Sequence, residues 1–465
     1  MRLTGGVAAI VAATCLARPS AADDDMASSR PAISFNRWQE DWSALADRGQ
    51  KSVPFDALKY IPLAADDAAS YLSLGLNLRE RYEINDAPQF GVGHNRDQHY
   101  LLQRVQAHAD LRPDADWQAF VQIENDVAPG KAPATAVDKS PPDIRQAFVA
   151  WNTGLGDGDL RIRIGRQEMA FDLQRFVSVR DGPNVRQAYD AVWVNWTDDP
   201  WRLIAFWSQP VQYRDGQAFD DVSNSHLRYG GFRVERKEVG PGSLTAYYSR
   251  YDADNAHFLD ATGAERRNNF DFRYAGTWRG FDWDAEEMTQ SGHVGDKTVL
   301  AWAVGSRAGY TVSGLSWAPR LGLQADAASG DGHPGNGRLG TFNPLFPNGY
   351  YVTLAGYTGY TNFVHIKPSV TIRPVPKIGV TLAGGLQWRE TVEDAVYVQP
   401  NVAVANTAGR GDAWSGAYEQ SRLDWAMTKN LAGAIEAVHF QVGDNVRRAG
   451  GRDSNYLGVE MRFGW

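Results

Sequence analysis

The chain has 465 residues, a formal net charge of −8, one Cys, and 16 Trp, 19 Tyr and 19 Phe. The acid excess argues against nucleic acid as a partner. A mean hydropathy of −0.43, with no stretch of about 18 apolar residues, excludes a transmembrane helix. The aromatic content is high for a soluble enzyme and suits the interfacial girdles of membrane barrels.

Residues 1–22 read as a secretory signal peptide, with a basic Arg2, an apolar run from Val7 to Leu16, and Ser20-Ala21-Ala22 before Asp23. Cleavage after Ala22 removes Cys15, so the mature chain enters an oxidising compartment without a thiol or a disulfide. Loss of Arg2 and Arg18 takes the net charge from −8 to −10. Residues 23–70 read as a periplasmic N-terminal segment tucked into a pore. Within it Phe35–Leu45 predicts a short amphipathic helix, and Lys59–Leu63 an extended connection.

From Tyr71 to the end the pattern changes to alternation with a period of two, the signature of strands with one apolar face. In Tyr71–Ile84 the even row carries Leu72, Leu74, Leu76, Leu78, Glu80, Tyr82 and Ile84, and the odd row Arg79, Arg81 and Glu83. In Tyr100–Arg112, Leu101, Val105 and Leu111 oppose Arg104, His108 and Asp110. Leu160, Ile162 and Ile164 oppose Arg161 and Arg163, and Ala191–Trp196 reads as the next strand. Further on, Phe281, Trp283 and Ala285 oppose Asp282, Asp284 and Glu286, and Val380, Leu382, Leu386 and Trp388 oppose Thr381, Gln387 and Arg389. Trp193, Trp196, Trp201 and Trp207 are expected in the aromatic girdle. Ala327–Tyr351, rich in Gly, Pro and Asn, predicts a long loop folding into or over a channel; its Asp spacing fits no defined calcium loop.

The last strand, Tyr456–Trp465, sets Leu457, Val459, Met461, Phe463 and Trp465 against Tyr456, Glu460 and Arg462. Phe463 and Trp465 are expected to act as a barrel-assembly signal. A soluble sandwich or solenoid would show units of about 100 residues or a repeat of about 20–50, and neither is present. The expected fold is therefore all-β: a transmembrane antiparallel β-barrel over residues 71–465, of roughly 16–18 strands at about 20–22 residues per strand and turn.

Several separate stretches carry a family likeness: Lys59–Leu63, Leu78–Glu83, Arg145–Val149, Gly165–Glu168 with Ser178–Arg186, and Ala328–Gly332 with Gly340–Pro347. They resemble the alginate export family of outer-membrane barrels, over nearly all of the mature chain. The resemblance implies a channel whose arginine-rich lumen passes a polyuronate outward.

Strand parity points Arg79, Arg81, Arg104, Arg161 and Arg163 inward, and the resemblance adds Arg166, Arg175, Arg180 and Arg186 to the lumen. Arginine suits the passage of an anionic polymer because it stays charged and grips carboxylates bidentately. Glu80, Glu83, Glu168, Asp172, Asp181 and Asp190 are the expected charge partners. The reading is a mixed network that braces the wall and leaves a few cations facing the pore.

Two other classes compete. A barrel enzyme needs a Ser/His/acid or paired-acid site, but no G-x-S-x-G or H-E-x-x-H stands out among the 9 His, and a row of acids on one strand is not a catalytic pair across a cleft. No catalytic residue, metal or cofactor is expected. A porin for uptake of small organic or sugar acids would have the same wall, since direction comes from gradients and partners. The expected partners are outer-membrane lipid, an anionic polysaccharide or small anionic solute, the barrel-assembly machinery and, for export, a periplasmic scaffold. The expected location is the outer membrane of a Gram-negative bacterium.

Overall fold

Each strand of the barrel pairs with its neighbour in the chain, and the last pairs with the first. The computed structural model describes residues 31–47, 54–93 and 97–465; the expected signal peptide lies outside them. The strands are β1 Tyr71–Asn85, β2 Gln98–Arg112, β3 Trp117–Val127, β4 Ser140–Leu155, β5 Gly158–Gln167 and β6 Tyr189–Asp198. They continue as β7 Trp201–Gln212, β8 Leu227–Val239, β9 Gly242–His257, β10 Thr262–Trp278, β11 Phe281–Val294 and β12 Lys297–Thr311. The ring is completed by β13 Arg320–Ala328, β14 Phe363–Val375, β15 Ile378–Trp388, β16 Trp414–Ala426, β17 Leu431–Val442 and β18 Ser454–Gly464. β18 closes antiparallel on β1, with Asn77 opposite Gly464 and Asn85 opposite Tyr456. The closed ring of 18 strands leaves no sheet edge, which is what a sheet in hydrocarbon requires.

Burial is inside out relative to a soluble protein. The apolar rows face outward, where Leu300 is 65% and Ile164 57% exposed, while inward-facing Arg81 and Arg145 are 1% and 0% exposed. The outer rows meet lipid, and the charged rows meet polypeptide inside the barrel. None of the described helices is long and apolar enough to cross a membrane.

The longest connections share one side of the barrel. On the side holding the chain ends, β4–β5, β6–β7, β8–β9 and β10–β11 are joined by tight turns. The opposite side carries loops 168–188, 329–362 and 389–413. Short turns face the periplasm and long loops the exterior in barrels of this kind.

These loops fold back into the lumen and make the core. Phe176 of loop 168–188 and Phe342, Tyr351 and Tyr360 of loop 329–362 cluster with Met288 and Ala301 of the wall. The two loops also pair with each other, Val177 bridging Phe346 in parallel. Gly305 of β12 permits this docking, because a Cβ there would lie 2.5 Å from the Tyr360 hydroxyl and 2.7 Å from the Arg175 Nε. Loop 389–413 winds around Arg389, whose guanidinium donates to the carbonyls of Val392, Asp394, Thr407, Arg410 and Asp412.

The N-terminal segment fills the opposite mouth. In place of the expected amphipathic helix there are two single 3-10 turns, Arg37–Gln39 and Ser43–Ala46. The reason is that side chains all round the segment find partners. Arg37 pairs with Glu40 at 2.7 Å and donates to the Trp465 carbonyl at 2.9 Å. Trp42 donates from its backbone to the Tyr71 hydroxyl at 3.1 Å. Ile61 and Pro62 pair with Leu72 and Tyr71 of β1. Trp465, expected in the outward row with Phe463, is instead engaged by this segment: its ring meets Phe55 edge-on at 5.5 Å and lies under the Lys59 ammonium at 4.7 Å.

Candidate solute pathway

Most inward arginines are tied to carboxylates, and the ties lead to the loops. Arg79 meets Glu460 at 2.7 Å. Arg81 reaches Glu436 at 2.6 Å, Glu460 at 3.3 Å and Glu83. Arg104 donates to Asp181 at 2.6 Å and to the carbonyls of Pro183 and Asn184 at 3.0 and 2.7 Å. Arg186 meets Glu168 at 2.8 Å, and Arg175 meets Asp284 at 2.8 Å and also Glu286. Asp172 takes Arg273 at 2.9 Å together with Arg233. Charges withdrawn from water must be paired. The Arg79 and Arg81 pairs brace the wall, and Arg186–Glu168 braces the loop internally. Arg104–Asp181, Arg175 with Asp284 and Glu286, and Asp172 with Arg233 and Arg273 pin loop 168–188 to the wall.

Electrostatics at the loop carboxylates follows from this pairing. Burial pushes the Asp181 carboxyl up, but Arg462, Arg104, Arg79 and Arg186 together hold it well below the usual range. At Asp172 burial acts the same way, and Arg233, Arg273 and Arg175 bring the value to about 2. Glu168 goes the other way: burial raises it to about 7 against the pull of Arg186.

Four expected placements need correction. Glu80 sits on the outward row of β1 and accepts a hydrogen bond from Gln103; it makes no ion pair with a lumen arginine among the described residues, because its parity is that of Leu78 and Tyr82. Arg166 and Asp190 stay in register, paired directly across β5 and β6, so Arg166 takes the outward side with Ile162 and Ile164. At the long-loop rim its Nε meets Asp190 at 2.9 Å. Trp193 faces inward rather than into a girdle; it is 7% exposed and stacks on Phe171 and Phe206 at 5.6 Å. Trp465 is the fourth, as described above.

A smaller set of inward cations has no carboxylate within ion-pair distance among the described residues. Arg161 leans on neutral Asn152 at 2.8 Å and on Gln118. Arg202 donates to Asn195 at 2.6 Å, and Arg307 to Gln324 and the Tyr351 carbonyl at 3.0 Å each. Arg163 rests on aromatic rings. Arg180, in loop 168–188, lies beside Tyr189, Tyr213 and Tyr251. Arg202, Arg307 and the half-buried Arg422 and Arg462 are lumen residues beyond those expected. Strand parity was the signal for all four: Trp201, Leu203 and Trp207, for example, alternate with Arg202.

Two other constellations bear on chemistry. His365 stands 2.9 Å from Asp326 and 2.9 Å from the Tyr418 hydroxyl, and that hydroxyl donates to the Val352 carbonyl at 2.9 Å. The group is buried and ties loop 329–362 to the wall. Asp143, Asp220 and Asp221 each bring one oxygen within 4.8 Å of the others, as a divalent cation would need. Arg145 at 3.5 Å from Asp221 and Arg166 at 3.8 Å from Asp143 already supply positive charge there.

The fold and the lined lumen define a porin-like outer-membrane β-barrel. The sequence matches the family described as alginate export over residues 70–460, and the chain belongs to that family. Among curated proteins no match was found. Solved structures share the fold at low identity. A BenF-like porin from Pseudomonas fluorescens Pf-5 superposes with a TM-score of 0.57 at 10% identity, over 85% of this chain and 99% of that one. Pseudomonas aeruginosa OccK2 (OpdF), solved in complex with glucuronate, gives 0.54 at 12%, over 87% and 98%. Pseudomonas aeruginosa OpdK with vanillate gives 0.53 at 11%, over 85% and 99%.

Proposed function

We propose that this barrel is an outer-membrane channel that passes carboxylate-bearing solutes, with a polyuronate such as alginate as the foremost cargo. The observation that carries the reading is the set of inward arginines with no carboxylate within ion-pair distance among the described residues: Arg161, Arg163, Arg180, Arg202 and Arg307. A fixed guanidinium lowers the barrier for an anion entering a narrow lumen, and several spaced along the path let it move on without being trapped. Family membership supports the polymer. In that role the barrel-assembly machinery inserts the chain, and a periplasmic scaffold delivers the polymer to its inner mouth.

A second reading, uptake of small sugar or organic acids, draws on the filled lumen. Loops occupy it from one side and the N-terminal segment from the other, which suits a solute the size of glucuronate better than a chain. Liposome-swelling rates test both. The proposal predicts faster permeation of oligouronates than of neutral oligosaccharides of equal length. Equal rates would contradict it, and permeation by monouronates alone would favour the second reading.

A further inference from the structure

Near the mouth that holds the chain ends, three inward arginines stand together with no carboxylate within ion-pair distance among the described residues; Asp110 bears on Arg161, and Glu235 and Asp172 on Arg202, from beyond that range. Arg161 and Arg163 are two residues apart on β5, and Arg202 opens the nearby β7. The charges that bear on Arg163 are those of Arg161 and Arg202, both of its own sign. Arg163 is 5% exposed, yet its Nη1 has no hydrogen-bond partner among the described residues, and neither has the Arg161 Nε. Elsewhere in this lumen buried arginines such as Arg81, Arg145 and Arg175 are matched by carboxylates.

Arg163 lies against the wall rings Phe148 and Trp193, and one side chain of the N-terminal segment covers both Arg163 and Arg161. The Trp38 ring lies 4.2 Å from the Arg163 guanidinium and 5.2 Å from that of Arg161, with its edge to Phe148 at 5.9 Å. Its neighbours in sequence are anchors. Arg37 holds Glu40, the Asn77 side chain and the Trp465 carbonyl, and the Trp42 indole donates to Glu40 at 3.0 Å. Among the described residues the Trp38 ring makes no hydrogen bond that would be lost if it turned away, whereas its carbonyl accepts from Gln118 at 2.8 Å. A ring face satisfies a guanidinium by its quadrupole alone. A carboxylate offers two charge-assisted hydrogen bonds in the matching fork geometry.

We propose that Arg161, Arg163 and Arg202 form a carboxylate-binding station at the inner mouth, and that Trp38 masks it until an arriving uronate or organic acid displaces the ring. The inference rests on the reading of the barrel as an anion channel and adds its first binding station and the residue that gates it. The anchored segment stays in place while the single ring swings. The station then hands its anion toward Arg180 and Arg307 farther along the lumen.

The test is single-channel recording of the refolded full-length barrel with glucuronate as blocker, comparing wild type, Trp38→Ala, Trp38→Phe, and Trp38→Ala combined with Arg161→Gln and Arg163→Gln. Heat-modifiable gel migration confirms that each variant has folded. Trp38→Ala is expected to lower the half-blocking glucuronate concentration about tenfold, the scale of one charge-assisted contact. Trp38→Phe, which keeps a ring on Arg163, stays near wild type. The triple variant loses the gain in block. An anion-selective wild type whose glucuronate block is unchanged by Trp38→Ala, or a gain in block that survives in the triple variant, overturns the station and leaves the channel reading standing. A cation-selective wild type overturns both.

Discussion

Arg462 of the last strand donates to Asp181 of loop 168–188 over 2.8 Å, across 281 positions of sequence. The same carboxylate takes Arg104 at 2.6 Å, so one side chain joins the closing strand, the second strand and a lumen loop. Asp181→Asn removes the charge that ties both arginines to the loop, leaving Arg462 to Glu460 and Arg104 to Glu124 and Asp126 within the wall. Breaking a buried pair from one side costs about 3 kcal/mol. The expected outcome is a fall in the urea midpoint of the folded barrel by that amount, with faster protease cleavage inside loop 168–188.

Acid should open this loop late. Asp172 falls to about 2 in the folded state because Arg233, Arg273 and Arg175 outweigh its burial, and Asp181 is shifted in the same direction. A depressed carboxyl contributes stability above its unfolded value of roughly 3.9 and loses it as pH falls through the folded value. Glu168, raised to about 7 by burial, takes up its proton before that window. Protease accessibility of loop 168–188 is therefore predicted to hold from neutral pH down to about 4 and to rise between about 4 and 2. Opening near pH 6 would contradict the pairing described here.

Paired and unpaired arginines should respond differently to the same substitution. Arg175→Gln strands Glu286 and leaves Asp284 to Arg273 alone, and is expected to cost about 3 kcal/mol in urea unfolding. Arg180→Gln breaks no ion pair among the described residues, so stability should stay within about 0.5 kcal/mol while the anion-to-cation permeability ratio drops.

The outer rows predict a lipid-side penalty. Phe272 is 59% exposed on the outward face in the central part of β10. Phe272→Arg is expected to cost about 2–4 kcal/mol in folding into bilayers, the scale for a cation near the midplane. The same change in a lumen-facing position would alter selectivity instead.

Much of this architecture is legible in the alternation of Leu72–Ile84 or Leu457–Phe463, because a barrel strand must separate lipid from lumen residue by residue. Parity therefore pointed Arg79, Arg104 and Arg163 to the side where they lie. It also held Glu80 in the row of Leu78 and Tyr82, and grouping that acid with the lumen charges went against its own register. Arg166 was drawn inward by its place in a family stretch, whereas pairing through Gln167↔Tyr189 keeps alternation running one residue past it. What alternation cannot reveal is the stuffing of the lumen. The contacts of Phe176 with Phe342 and of Trp38 with Arg163 join segments far apart in sequence through side-chain shape, and neither segment has a period. Trp193 shows the same limit, since a strand tryptophan fits a girdle until a loop phenylalanine, Phe171, is seen to stack on it.

The most direct test of the account is the reversal potential of the refolded wild-type barrel in a planar bilayer under a salt gradient, followed by addition of oligouronate. A lumen that carries Arg161, Arg163, Arg180, Arg202 and Arg307 outside any ion pair among the described residues predicts anion selectivity and concentration-dependent block by oligouronate, both weakened by Arg161→Glu with Arg163→Glu. Cation selectivity, or a current indifferent to oligouronate, would contradict it.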